Sequence, residues 1–255
     1  MEVKEQISEK KARPEPMIEV NHLSKSFGSQ EVLRDVSLRL YNGENLVILG
    51  KSGTGKSVLI KCIVGLLTPD GGTIDVLGKE VGSLNMNQLD ELRMKIGFLF
   101  QSSALYDSMT VKENLEFPLK RIRREMKAKQ REEKIIEVLE NVGLAESLHK
   151  MPSQLSGGMR KRISLARTII VDPLIMLYDE PTTGLDPVTS DEISALINEV
   201  KKKYKTSSII ITHDIECASA TGDRLMMLKD GEIYREGSVR EFNQSTDPLI
   251  KSFFK

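Results

Sequence analysis

The sequence carries no surplus of either charge. Its 37 Lys and Arg residues face 37 Asp and Glu, a formal net charge of zero. A protein dedicated to nucleic acid usually shows a basic excess, so that class is disfavoured, although a local basic patch is not excluded. Nor is there an apolar run of about 18 residues, so no helix is expected to span a bilayer. The opening stretch "MEVKEQISEKKARPEP" has charges and prolines but no apolar core, which is not the pattern of a secretory signal. Residues 1–16 read as a flexible lead-in, with a partner-binding arm as the other option. Cysteine is scarce too. Cys62 and Cys217 stand far apart, with neither metal-ligand spacing nor a disulfide framework, and are expected as buried, reduced thiols of a cytosolic protein. There is no internal repeat or low-complexity tract. What remains is an ordinary globular balance, 39% hydrophobic and 29% charged, over 255 residues. That is enough chain for one large core or two unequal subdomains.

The periodicity of the chain changes twice. Alternating apolar positions at 17–23 and 31–40 predict antiparallel strands around the polar turn "SFGSQ". "NLVILG" (45–50) reads as a buried strand leading into a glycine-rich turn and a helix at 56–67. Strands are expected again at "TIDVLG" and "KIGFLF". From about 111 to 171 the pattern turns helical, with Ile135, Ile136, Val138, Leu139 and Val142 on one face. Strand and helix then alternate: 174–179, a helix at 189–203, "SSIIIT", a helix at 214–220, "RLMMLKD" and an Asp-Gly hairpin in "KDGEIY". The expectation is an α/β core of mostly parallel sheet, with an antiparallel β subdomain at the start and a helical insert at about 102–171. The basic run "KRIRREMKAKQR" (120–131) reads as a solvated helix face, or as a membrane-surface contact.

"GKSGTGKS" fits G-x-x-x-x-G-K-[ST] with a strand before it and a helix after it, the context that pattern requires. Gly50, Gly53 and Gly55 let the backbone bend, so that N–H groups through Lys51, Ser52, Thr54 and on to Val58 converge on phosphate oxygens at a helix N-terminus. Lys56 adds a mobile charge for the β- and γ-phosphates, and the Ser57 hydroxyl is a ligand for Mg²⁺. A chance match in a chain this long is expected on the order of one time in a hundred.

"IMLYDEPTTGLD" (175–186) places two carboxylates side by side at the end of a buried strand. Like charges so close repel, unless a cation or a proton transfer uses them. Beside a phosphate cradle both uses exist. Asp179 stands where P-loop enzymes hold Mg²⁺. Glu180, directed to the other face or into the next loop, is placed to polarise a water for in-line attack on the γ-phosphate.

A second anion-binding helix start is visible in "LSGGMRKR", with Ser156 as N-cap and an open backbone at Gly157 and Gly158. Alone, it reads as an ordinary capped helix. It does not stand alone. "GKSGTGKS", "FQ" at 100–101, "LSGGM", "LIMLYDEP", "GLD" and "THD" at 212–214, in that order, resemble the ATP-binding cassette ATPase family over nearly the whole chain from residue 17. The resemblance implies ATP and Mg²⁺ as cofactors and a head-to-tail homodimer docked on integral-membrane permease subunits, at the cytoplasmic face of the inner membrane. It implies that Phe27 stacks on adenine, and that Gln101 senses Mg²⁺ and water and links to the membrane partner. Ser156, Gly157 and Gly158 would clamp the γ-phosphate of ATP bound to the other subunit. Asp186 would communicate across the dimer, and His213 would contact the γ-phosphate. Met159 departs from the usual Gln, and "PTTGLD" from the commoner "PTSALD" at Thr183 and Gly184.

The segment "FQSSALYDSMTVKENLEFPL" (100–119), with "LSGGM" and "EPTTGLDP", resembles the ATPases of Mla/Mce-type lipid transport systems. That implies phospholipids or related lipids as cargo, and a lipid-binding substrate protein as a further partner. Leu105, Tyr106, Met109 and Leu115 suit a groove for a partner helix, with ordinary packing as the alternative. Cassettes for amino acids or other small solutes, or for lipoprotein release, are the other transport readings. Outside transport stand a soluble cassette acting on nucleic acid or the ribosome and a small-molecule P-loop kinase. The first would usually carry two cassettes or a long coiled coil, and the second leaves "LSGGM" and His213 without work.

Overall fold

The computed structural model describes residues 15–253, so all but the last two residues of the proposed lead-in lie outside the described residues. Among the described residues ten strands form one sheet: β1 (Ile18–Phe27), β2 (Gln30–Leu40), β3 (Asn45–Leu49), β4 (Gly71–Val76), β5 (Lys79–Glu80), β6 (Ile96–Leu99), β7 (Ile175–Asp179), β8 (Ser207–Thr212), β9 (Arg224–Lys229) and β10 (Glu232–Gly237). Their spatial order is β5-β4-β1-β2-β10-β9-β3-β8-β7-β6. β9, β3, β8, β7 and β6 run parallel to one another. β1, β2, β4 and β5 pair antiparallel. The two halves join at one register pair, Glu232 with Asp35, so the sheet has a narrow seam between β2 and β10.

The parallel half behaves as a sheet covered on both sides must. Every residue of β3, β7 and β8 is buried. Alternate side chains feed two separate cores. Val47, Leu49, Tyr178 and Ile210 join a cluster with the helices between β6 and β7, while Leu46, Ile48, Leu177 and Ile209 pack with the antiparallel strands.

The helices are α1 (Lys56–Ile63), α2 (Met86–Arg93), α3 (Val111–Ile122), α4 (Ala128–Asn141), α5 (Gly157–Ile169), α6 (Pro187–Tyr204), α7 (Ile215–Thr221), α8 (Val239–Asn243) and α9 (Pro248–Lys251). α1 stops four residues short of the expected 67. Gly65 takes φ +65°, its N–H bonds to Cys62 O, and Leu66 N–H bonds to Lys61 O. This is a glycine-terminated helix end, which the run of apolar residues concealed. The hairpin at Asp230-Gly231 is as expected, with φ of +50° and +80°.

The basic run 120–131 is not one solvated face. α3 ends at Ile122, α4 begins at Ala128, and Arg123 turns inward to donate to Val171 O. Ile136, expected with the apolar face of α4, is 40% exposed. Leu115 is fully buried in the helical core and Leu105 packs half-buried against it, whereas Tyr106 stays on the surface. Both cysteines are free and buried, and burial pushes each thiol up to about 11.

Candidate functional site

β3 delivers the chain to the carboxyl edge of the parallel strands, where Gly50 N–H bonds to Thr212 O at the end of β8. The loop from Gly50 to Gly55 admits little else than glycine at two points. A Cβ on Gly50 would lie 2.6 Å from Thr54 Oγ1 and 2.8 Å from Leu228 O. Gly55 takes φ +98°, and a Cβ there would meet Leu33 and Val32 within 3 Å. As the N-cap of α1, Gly55 offers no side-chain acceptor, and no acidic residue stands in the first turn of α1. The first N–H groups of that helix therefore keep their partial positive charge for a ligand.

Lys56 is 5% exposed. Its ammonium donates to Gly50 O (2.7 Å) and Lys51 O (3.1 Å) and lies 3.3 Å from Glu180 Oε1. The next residue, Ser57, donates its hydroxyl to Asp179 Oδ1 at 3.0 Å, across 122 residues of sequence. Burial raises the pKa of Asp179; the Ser57 hydrogen bond opposes the rise and the neighbouring Glu180 charge adds to it.

Glu180 stands one residue beyond β7 at φ +50°, a conformation uncommon for a side chain of this size. The turn sends its carboxylate back over the strand ends. Oε2 accepts from Thr183 Oγ1 (3.1 Å) and from the His213 backbone N–H (3.3 Å), and lies 2.8 Å from His213 Nδ1. Thr182 donates to Asp214 Oδ2, and Asp214 in turn caps α7, so the loop carrying His213 is pinned to the loop carrying Glu180. Ser52, Gly53, Gly55, Lys56, Ser57, Val58, Gln101, Glu180 and His213, with Val32 of β2, line a cavity of about 230 Å³.

Other expected residues stand apart from it. Phe27 ends β1, 48% exposed, with the Lys25 ammonium 5.6 Å from its ring centre. Ser156 accepts from Met159 N–H and caps α5, with Gly157 exposed beside it. A Cβ on Gly158 would sit 2.5 Å from Thr189 Cγ2, so α5 and α6 approach too closely there for a side chain. Asp186 caps α6 through Thr189. Gly157, Gly158 and Asp186 thus form one surface, shared by two helix starts, that is not part of the cavity wall. Met159 is half-buried against the helical core.

Sequence reasoning passed over Thr182 and Val32 and gave Thr183 no role. Two adjacent hydroxyls one residue beyond a carboxylate pair were a usable signal for the threonines. A larger cavity, about 530 Å³, lies at the seam among His22, Arg39, Tyr41, Arg224 and Glu236. Its cations are already matched by Glu19, Glu44 and Glu236, so the smaller cavity is the better candidate.

The residues fit a magnesium nucleotide. A Cβ would not fit at Gly50 or Gly55, and Ser57, Asp179 and Gln101 bring the hard oxygen donors Mg²⁺ prefers. Residues 33–183 match the family model described as ABC transporter. The chain belongs to that family. It is 39% identical to protein TRIGALACTOSYLDIACYLGLYCEROL 3, chloroplastic, of Arabidopsis thaliana, over 93% of this chain and 73% of that protein. It is likewise 39% identical to the probable ribonucleotide transport ATP-binding protein mkl of Mycobacterium tuberculosis, over 92% of this chain and 66% of the relative. Among solved structures it resembles the dimeric post-hydrolysis state of the ATP-binding cassette MJ0796 bound to ADP and Pi. The TM-score is 0.80 at 33% identity, covering 88% of this chain and 99% of that one. The cassette is an ATPase domain, the ATP-binding subunit of an ABC transporter. No helix among the described residues is long and apolar enough to cross a membrane.

Proposed function

We propose that this cassette hydrolyses ATP through Glu180 to drive a membrane transporter of the Mla/Mce type, with lipids as cargo. The observation that carries the chemistry is the convergence of Lys56, Ser57, Gln101, Glu180 and His213 on one cavity at the parallel-strand edge. Lys56 and the N-terminal N–H groups of α1 bind the phosphates, and Phe27 receives the adenine face. Ser57, Asp179 and Gln101 would hold Mg²⁺, which would supply positive charge to offset that of the phosphates. Glu180 accepts the proton of the attacking water, and Thr183 and His213 fix which carboxylate oxygen faces it. His213 then turns its other ring nitrogen to the γ-phosphate. Ser156, Gly157 and Gly158 serve the nucleotide of a second copy, with Asp186 beside them. The cassette itself is residues 17–255, and the helical part at 102–171 faces the permease.

The lipid reading is supported by the segment 100–119 and by the lipid in the name of the Arabidopsis relative. A ribonucleotide or other small solute is the competing cargo, favoured by the name of the mycobacterial relative. Pull-down of the full chain from membranes in mild detergent tests the choice. Recovery of a permease together with a lipid-binding protein is the expected result; an amino-acid or nucleotide permease overturns it.

A further inference from the structure

α5 begins at Gly157 behind its Ser156 cap, the "LSGGM" stretch, and three of its side chains hold the loop that follows β6. Lys161, 3% exposed, donates from Nζ to Gln101 O at 2.8 Å. Ser164, one turn on, donates to Ser103 O. The Arg167 guanidinium lies 5.5 Å from the centre of the Tyr106 ring. Behind them Thr168 packs on β6 at Gly97, where a Cβ would come within 2.7 Å of Thr168 Cγ2. The gripped loop is not relaxed. Ser103 and Ala104 take φ of +63° and +46°, which side-chain-bearing residues adopt only when their surroundings impose it. A lysine so deeply buried on a helix is itself unfavourable without partners; its hydrogen bond goes to the backbone of Gln101, and the charges of Asp179 and Glu180 also favour its ammonium.

We infer that Lys161, assisted by Ser164, is a positioning residue for Gln101, coupling the Ser156 end of α5 to the Gln101 side chain in the nucleotide cavity of the same chain. The inference rests on the reading of Gln101 as the residue at metal and water. Its physical content is that Gln101 lines the cavity while its backbone is held by α5 through Lys161. A shift of Ser156, Gly157 and Gly158 is carried down a rigid helix to Lys161, then across one hydrogen bond to the opposite end of the chain's own ATP site. Ligand contact at one nucleotide site would thereby set the metal geometry of the other.

The test is an epistasis measurement on the full chain, read as turnover against free Mg²⁺ at saturating ATP and as calorimetric nucleotide affinity with and without Mg²⁺. Lys161→Met keeps the stem and removes the donor. The expected result is nucleotide affinity within about twofold of the parent, turnover about tenfold lower, and a several-fold higher Mg²⁺ requirement, the magnitude of a misplaced catalytic contact. Gln101→Ala should shift the same two quantities, and Lys161→Met should add nothing in the Gln101→Ala background. Lys161→Arg, which restores a donor, should recover most of the loss. Should Lys161→Met not fold, Ser164→Ala takes its place in the same cycle. Equal fold-losses from Lys161→Met in both backgrounds would overturn the positioning role while leaving Gln101 at the metal. A Gln101→Ala variant with parental turnover and Mg²⁺ dependence would instead remove the Gln101 reading, and the inference with it.

Discussion

Two helix N-termini are assigned to phosphate in this cassette, and they are built in opposite ways. α1 starts from Gly55, with no capping side chain, a buried lysine as its first residue, and a cavity in front. α5 starts from Ser156, whose hydroxyl satisfies the Met159 N–H, and it lies outside that cavity. The first leaves its orphan N–H groups for a ligand and surrounds them with Asp179, Glu180 and His213. The second has a side-chain cap that already satisfies one of its first N–H groups. The difference fits the proposed division of labour, in which the first helix start belongs to the chain's own nucleotide cradle and the second to a surface for a nucleotide held by a second copy.

Substitutions sharpen the contrast. The largest effect is expected from Glu180→Gln, which keeps the shape of the side chain but removes the base and the negative charge facing Lys56. Turnover should fall by roughly 10² to 10⁴ with MgATP binding retained, and near-parental hydrolysis would take Glu180 out of that role. Lys56→Ala should act on binding instead. A charge-assisted contact contributes about 1.5–3 kcal/mol, so calorimetric ATP affinity should weaken roughly 10- to 150-fold. Ser156→Ala should leave ATP binding by the isolated chain unchanged, lower turnover about tenfold, and destabilise the fold by only about 1 kcal/mol through the lost cap. Weakened ATP binding in that variant would erase the distinction between the two helix starts. The smallest effect is at Tyr178, a fully buried residue whose hydroxyl has no hydrogen-bond partner. Tyr178→Phe should be neutral or stabilise by up to about 1 kcal/mol in chemical denaturation, because it removes an unsatisfied polar group.

Legibility in the sequence followed the range of the forces involved. The phosphate cradle was readable because "GKSGTGKS" is contiguous and its chemistry is local to eight residues. Asp179 and Glu180 were readable from their placement at a buried strand end. The pairing of Ser57 with Asp179 spans 122 residues, and only the known logic of P-loops joined them in advance. Thr182 and Lys161 were not read, because each acts through a partner 32 or 60 residues away that no local pattern announces. The early end of α1 was hidden for another reason. Gly65 lies inside an apolar run that suits a helix, and only its backbone angle shows the stop. In the fold the parallel strands were visible as apolar runs, while the seam at Glu232 and Asp35 depends on a single pairing that composition does not mark.

Hydrolysis at this site requires Mg²⁺ and ATP to be held together by the first of these helix starts and the carboxylate behind it. The direct measurement is a calorimetric titration of ATP into the full chain, with excess Mg²⁺ and again with the metal chelated, for the parent and for Asp179→Asn. Saturable binding that Mg²⁺ tightens in the parent, with that tightening lost in Asp179→Asn, is the predicted result. No saturable binding at millimolar nucleotide, or a Mg²⁺ effect that survives the substitution, would contradict it.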